Sequence, residues 1–360
     1  MSPMYVYRFY GQSGDLGIFG NQRKSNYIYS KRIKFLPNVL ITGGAGFIGS
    51  HLTTALLARG DHVTIVDDLS TGRASNLAHV IDNPALSYIQ GDIGNETLMN
   101  QVVARQDQVY HLAAAVGVAL IASKPIETIE RNIYPTQLLM AALRQRVENG
   151  ESVRTFFSST SEVYGKNPKE TWTEEDDLVF GATTRPRWSY GVSKAIDEFL
   201  ALACVKEHNL PIVIGRFFNV VGPRQTGAFG MVLPRFVQAA LQGEPLIVHD
   251  DGTQIRCFAH VQDVIAAVLT LMQTDAAVGE VINIGSDTPI TILELANKVI
   301  EVCDSKSQVE FQTYTDAYDE SFEDIRRRVP DLTKISNLIG APNHCGIEKI
   351  IADVRDEFRS

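Results

Sequence analysis

The chain has 360 residues, of which 44% are hydrophobic and 21% charged, so it can bury more than one core and has the make-up of an ordinary globular protein. A net charge of −9 and a pI near 5.4 exclude nucleic acid or an acidic membrane surface as the main partner, and an anionic ligand would need local arginines. No run reaches the roughly 18–20 apolar residues of a membrane span, and Cys204, Cys257, Cys303 and Cys345 lie too far apart for a metal motif, which predicts no metal and free thiols in a reducing cytoplasm.

Residues 1–36 differ in composition from the rest, with tyrosines at 5, 7, 10, 27 and 29 among Arg23, Lys24, Lys31 and Arg32. They lack the apolar stretch of a secretory signal and are expected to form a partly ordered arm. Next, Val39-Leu40-Ile41-Thr42 reads as a short buried strand running into Gly43, Gly46 and Gly49 and then into a helix over 47–59 that Gly60 closes. This is the layout of a dinucleotide site: a tight turn, close backbone approach to a pyrophosphate, close helix-to-strand packing, and a helix N-terminus turned to the phosphates. Val63 to Asp67 is a second strand whose terminal carboxylate comes 18 residues after Gly49. Asp67 can accept from the ribose hydroxyls and repels a 2′-phosphate, so it favours NAD over NADP.

A third strand is expected over Leu86 to Asp92, with Asp92 and Ile93 beside the adenine, and a fourth over Val109 to Ala115. The small residues of the fourth let a cofactor lie against Leu112, Ala113 and Ala114. Strands alternating with helices over 47–59, 95–105 and 126–148 predict an α/β fold with a doubly wound parallel Rossmann sheet. The fifth strand, Thr155 to Thr160, runs into Ser161 and Glu162, and ligands of such sheets sit beyond the carboxyl ends of the strands. Tyr190 and Lys194 follow, four apart on one helical face.

The segments TGGAGFIGSHL, GDI, STSEVYG, YGVSK, RFFNVVGPR and GTQIRCFAHVQDV, with Asp67, resemble the extended short-chain dehydrogenase/reductase family of nucleotide-sugar epimerases, dehydratases and decarboxylases, from about residue 38 to the end. The resemblance implies an NAD-dependent enzyme, with cofactor contacts extending to Phe47 and Ile48. Residues 37–221 and 248–286 would form the Rossmann domain, and 222–247 and 287–360 a smaller α/β nucleotide-sugar domain. Tyr190 would be the base, Lys194 the cation that lowers its pKa while contacting the cofactor, and Thr160 the hydroxyl that orients the sugar. One cation about 4 Å away supplies roughly the 4 kcal/mol needed to bring a tyrosine from about 10 to near 7.

By the same resemblance the substrate is a nucleoside-diphosphate sugar, UDP-linked, gripped by Asn219, Arg224 and Arg256, and a homodimer forms through helices near 126–148 and 189–207. Members share C4 oxidation and differ afterwards, which makes Ser161 and Glu162 the discriminating pair. Ser-Glu is similar to UDP-glucuronate decarboxylases and also to GDP-mannose 4,6-dehydratases. The segment Arg327-Arg328-Val329-Pro330-Asp331 is similar to the Arg-Lys-Pro-Asp segment of decarboxylases, and Arg328 takes the position of the arginine near the uronate carboxylate. Arg187-Trp188-Ser189 before the tyrosine resembles the decarboxylase domain of the aminoarabinose pathway. UDP-glucuronate decarboxylation, forming UDP-xylose, therefore ranks ahead of 4-epimerisation of UDP-glucose or UDP-glucuronate, and 4,6-dehydration comes third. The competing class is a non-catalytic NAD-binding sensor or scaffold. His249, on an expected strand over 246–252, would contact the base or solvent.

Overall fold

Seven parallel strands order the molecule: β1 (Asn38–Thr42), β2 (His62–Asp67), β3 (Leu86–Gln90), β4 (Gln108–His111), β5 (Arg154–Thr160), β6 (Ile212–Phe217) and the edge strand Val281–Ile284. Across the sheet they run Val281–Ile284, β6, β5, β4, β1, β2, β3, so the winding reverses between β1 and β4, where open α/β sheets bind ligands. Val39, Leu40 and Ile41 of β1 have no exposed surface, as befits a central strand with helices on both faces. The computed structural model describes residues 36–115, 124–227, 231–313, 323–342 and 344–359. The arm expected over residues 1–36 lies outside these but for Leu36.

Helices Phe47–Arg59 and Val261–Leu271 cover one face through Leu52, Leu56, Val264, Ile265 and Val268. Pro125–Glu148 and Ser189–His208 cover the other through Leu139, Leu143, Ala201 and Cys204. The helix at 47–59 closes at Gly60, whose φ of 99° is the left-handed conformation that glycine adopts freely. A separate apolar core joins Leu233, Phe236, Leu246, Leu295, Val299, Ile350 and Val354. Its helix Ile292–Cys303 opens with the Thr291/Glu294 capping box, in which Glu294 N donates to Thr291 Oγ1 at 3.1 Å and Thr291 N to Glu294 Oε2 at 2.9 Å.

Three strands end sooner than their apolar runs suggest. β3 stops at Gln90, not Asp92, because the Asp92 carboxylate accepts the Gly94 N–H at 2.7 Å and turns the chain. β4 stops at His111, not Ala115: Ala113 N donates to Thr42 Oγ1 and Ala115 N to Asn132 Oδ1, which takes both off the ladder. The strand expected over 246–252 is Leu246–His249, paired with Val309–Gln312, and Asp250 turns out of it with φ at 56°. Cys204, Cys257 and Cys303 are buried free thiols, whereas Cys345 is partly exposed. No helix among the described residues is long and apolar enough to cross a membrane.

Candidate active site

A cavity of about 520 Å³ opens at the carboxyl ends of β1, β2, β4 and β5. Every residue selected from sequence lines it. Gly43, Gly46, Phe47, Ile48 and Gly49 form one wall, with Asp67, Asp92, Ile93, Leu112, Ala113 and Ala114 beside them. Thr160, Ser161, Glu162, Tyr190 and Lys194 stand further along, then Asn219, Arg224, Arg256 and Arg328.

The glycine wall fits a dinucleotide. Gly43 has φ of 74°, and a Cβ there would stand 2.9 Å from the Ala113 backbone. A Cβ on Gly49 would lie 2.1 Å from the Gly43 carbonyl oxygen, so the helix can approach the turn this closely only without a side chain. The helix begins at Phe47 with no side-chain cap and no acidic residue in its first turn, which leaves its positive end to an anionic ligand. Gly49→Ala is expected to weaken NAD binding at least a hundredfold while the protein stays folded, as read by nucleotide titration alongside circular dichroism.

Asp67 is 7% exposed; its Oδ2 accepts from Ala45 N at 2.9 Å and Oδ1 from Leu69 N at 2.8 Å. Burial raises its pKa above the ordinary value, against the pull of those N–H donors. A carboxylate has about four acceptor sites; backbone N–H groups of Ala45, Gly46 and Leu69 take up three and fix the loop, which leaves capacity for a ribose hydroxyl. Asp67 and the glycine turn thus suit NAD.

Helix Ser189–His208 brings Tyr190 to the end of β5, and the Thr160 side chain hydrogen-bonds it. Burial pushes the tyrosine hydroxyl well above its ordinary pKa, and the charge on Glu162 adds to this. Lys194, expected to lower the Tyr190 pKa, has a partner of its own on the same helix. Its Nζ donates to Asp197 Oδ2 at 3.3 Å and lies 4.1 Å from the centre of the Phe157 ring. Both members of this pair are buried, at 3% and 0% exposure. Burial lowers the lysine pKa and raises that of Asp197 to about 6. The pairing arises because residues three apart on a helix share a face; Asp197 was not among the residues expected from sequence.

Glu162 is clasped by two arginines. Arg187 Nη1 lies 2.8 Å from Oε2, Arg187 Nη2 donates to Oε1 at 3.2 Å, and Arg328 Nη2 lies 2.5 Å from Oε1. Burial alone would raise the carboxyl pKa, but Arg328 and then Arg187 bring it down to about 2. Arg187 was not among the candidates chosen from sequence; its place directly before the tyrosine helix, in Pro186–Trp188, was the available signal.

The arginines expected to grip a diphosphate have partners of their own. Arg256 Nη2 donates to both Asp324 oxygens, at 3.1 and 3.2 Å, and Arg224 donates to Ser50, Thr54 and His79 at 3.2–3.4 Å. Asn219, at φ of 34°, donates from Nδ2 to the Cys257 carbonyl at 2.9 Å. His249 is half-buried and lines the cavity.

This arrangement has close counterparts among known proteins. A family model described as GDP-mannose 4,6 dehydratase matches residues 40–354. A UDP-N-acetyl-alpha-D-glucosaminuronate decarboxylase of Bacillus cytotoxicus is 40% identical over 301 residues, 83% of this chain and 90% of that protein. UDP-glucuronic acid decarboxylase 4 of Arabidopsis thaliana is 36% identical over 84% of this chain and 64% of its own length. Among solved structures, the UDP-glucuronic acid 4-epimerase of Bacillus cereus in complex with UDP-glucuronic acid and NAD superposes with a TM-score of 0.79 at 29% identity, covering 89% of this chain and 99% of that one. With the glycine turn, the Thr/Tyr/Lys set and a match over most of its length, the chain belongs to the GDP-mannose 4,6-dehydratase family of nucleotide-sugar short-chain dehydrogenases/reductases.

Proposed function

We propose that this protein is an NAD-dependent decarboxylase of a UDP-linked uronic acid, acting through a transient 4-keto sugar, with UDP-glucuronate as substrate and UDP-xylose as product. The observation that carries the reading is the Arg187–Glu162–Arg328 cluster beside Tyr190: two guanidiniums to one carboxylate leave a net positive charge where a sugar acid must sit. The two decarboxylase relatives support it.

Gly43, Gly46, Gly49 and Asp67 would hold NAD, which when bound would supply a hydride acceptor at C4 and the same hydride for the final reduction, so the reaction has no net redox change. Tyr190 removes the C4 hydroxyl proton, and Thr160 orients the same oxygen. Because burial and Glu162 oppose ionisation of Tyr190, positive charge has to reach it, and Lys194 is the cation on its own helix. Arg328 holds the carboxylate on C5; when the bond to the carboxylate breaks, CO₂ leaves, the electron pair forms the C4–C5 enolate with its charge on the 4-oxygen, where Tyr190 and Thr160 act as donors, and a proton from solvent then adds to C5 to restore the 4-ketone for reduction.

The cluster disfavours 4,6-dehydration. That reaction needs a base for the C5 proton, and Glu162, held at about 2, is too weak a base near neutral pH. Epimerisation at C4 is the second reading, favoured by the Bacillus cereus 4-epimerase, whose solved complex contains UDP-glucuronic acid. Proton NMR of the purified protein with UDP-glucuronate, UDP-N-acetylglucosaminuronate and UDP-glucose separates these outcomes, because a pentose, a C4 epimer and a 6-deoxy-4-keto sugar have distinct signals. Release of CO₂ from either uronate supports the proposal. A product from UDP-glucose alone overturns it.

The small core built on Leu233, Phe236, Leu246, Leu295 and Ile350 is assigned to the nucleotide end of the substrate, whereas Leu332 and Ile335, within the expected 287–360 segment, pack in the core of the large sheet. The free cysteines suit the cytoplasm. The protein is further proposed to pair with a second copy through helices Pro125–Glu148 and Ser189–His208. They expose Ile126 (71%), Phe199 (69%), Tyr134 and Ile196, and Val192, Ile196 and Phe199 share one helical face. Phe199→Asp is expected to yield a monomer in gel filtration with an unchanged circular dichroism spectrum.

A further inference from the structure

We propose that Arg187 is a specificity-determining residue that sets the preference for an acidic over a neutral sugar by keeping Glu162 from neutralising Arg328. The inference rests on the uronate reading above and names the part of the chain that enforces it.

Arg187 sits in the single turn Pro186–Trp188, with its side chain 5% exposed. It is held on three sides: Nε donates to the Glu323 carbonyl at 3.3 Å, the guanidinium lies 5.5 Å from the centre of the Trp188 ring, and both Nη atoms reach the Glu162 carboxylate. It therefore takes up both oxygens of Glu162 from one side. Arg328 reaches Oε1, and its buried Nε has no hydrogen-bond partner among the described residues. A buried guanidinium N–H without an acceptor is costly, and in a cavity wall it marks where an anionic ligand atom gains most.

Charge counting gives the same result. With Arg187 the three side chains sum to +1; without it, Glu162 and Arg328 form a closed pair of net charge zero. A carboxylate entering a partly dry cavity feels that difference strongly, whereas a neutral CH₂OH group does not. Arg187 thus acts through Glu162 and Arg328 and is a positioning residue, with no part in bond making.

The test measures dissociation constants for UDP-glucuronate and UDP-glucose on the NAD-loaded protein by isothermal titration. Arg187→Gln is expected to reduce the UDP-glucuronate preference at least tenfold while the UDP-glucose constant stays within twofold. Arg187→Lys, which keeps the charge, is expected to hold the preference within threefold of the parent. Glu162→Gln takes the sum to +2 and is expected to raise the preference, an increase that damage to the fold would not produce. If Arg187→Gln weakens both ligands equally or leaves the preference intact, or if Glu162→Gln lowers it, the proposal is overturned. A parent protein that binds UDP-glucose as well as UDP-glucuronate, or releases no CO₂, instead overturns the uronate reading beneath it.

Discussion

Replacing Tyr190 with phenylalanine is expected to lower kcat about a thousandfold, the contribution of a positioned general base, with the UDP-sugar and NAD still bound. The substitution removes one oxygen and leaves the ring, so helix Ser189–His208 keeps its packing. On the proposed mechanism the variant loses one hydroxyl, hydrogen-bonded to Thr160 in the structure, that would accept the C4 proton and donate to the keto oxygen. Single-turnover absorbance at 340 nm with UDP-glucuronate would read the first half-reaction directly. Full turnover in the variant would remove Tyr190 from the role of base.

The largest stability effect is expected at Arg216. It bridges β6 to helix Ser189–His208 through Glu198, with Nη2 to Oε2 at 2.7 Å and Nε to Oε1 at 3.0 Å, and its guanidinium lies 4.7 Å from the Tyr164 ring centre. Ser159 donates to the same carboxylate. The pair is 6% and 5% exposed. Arg216→Met leaves Glu198 buried and uncompensated, which costs about 3–5 kcal/mol and is measurable by urea unfolding. Adding Glu198→Leu should recover most of the loss, because a buried pair removed whole costs far less than one broken. A double variant as unstable as the single one would show that the cost lies in packing, not charge.

Recognition from sequence worked where a function imposes fixed separations along the chain. Gly43, Gly46, Gly49 and Asp67 are tied by the geometry of one turn and the next strand, and Tyr190 and Lys194 by a helical period. The partners that decide their chemistry follow no such period. Glu323 reaches Trp188 at 2.9 Å across 135 positions, Asp324 meets Arg256 across 68, and Arg328 meets Glu162 across more than 160. Such contacts are set by the tertiary fold, so composition and periodicity do not reveal them. Asp197 was within reach, three residues from Lys194, yet a search for the Tyr/Lys pair gives no reason to weigh a third charge.

The core built on Leu233, Phe236, Leu246 and Leu295 draws Ile350, Ile351 and Val354 from helix Ile347–Arg359. Synthesis delivers that helix last among these pieces, at about 5–20 residues per second. A nascent chain that has emerged only as far as residue 340 can therefore close the seven-stranded sheet and its glycine turn while the small core still lacks its cover. The dinucleotide wall can form on the ribosome before the nucleotide-sugar half does. In that interval the apolar faces of helices Val232–Gln242 and Ile292–Cys303 are open to chaperones and to aggregation.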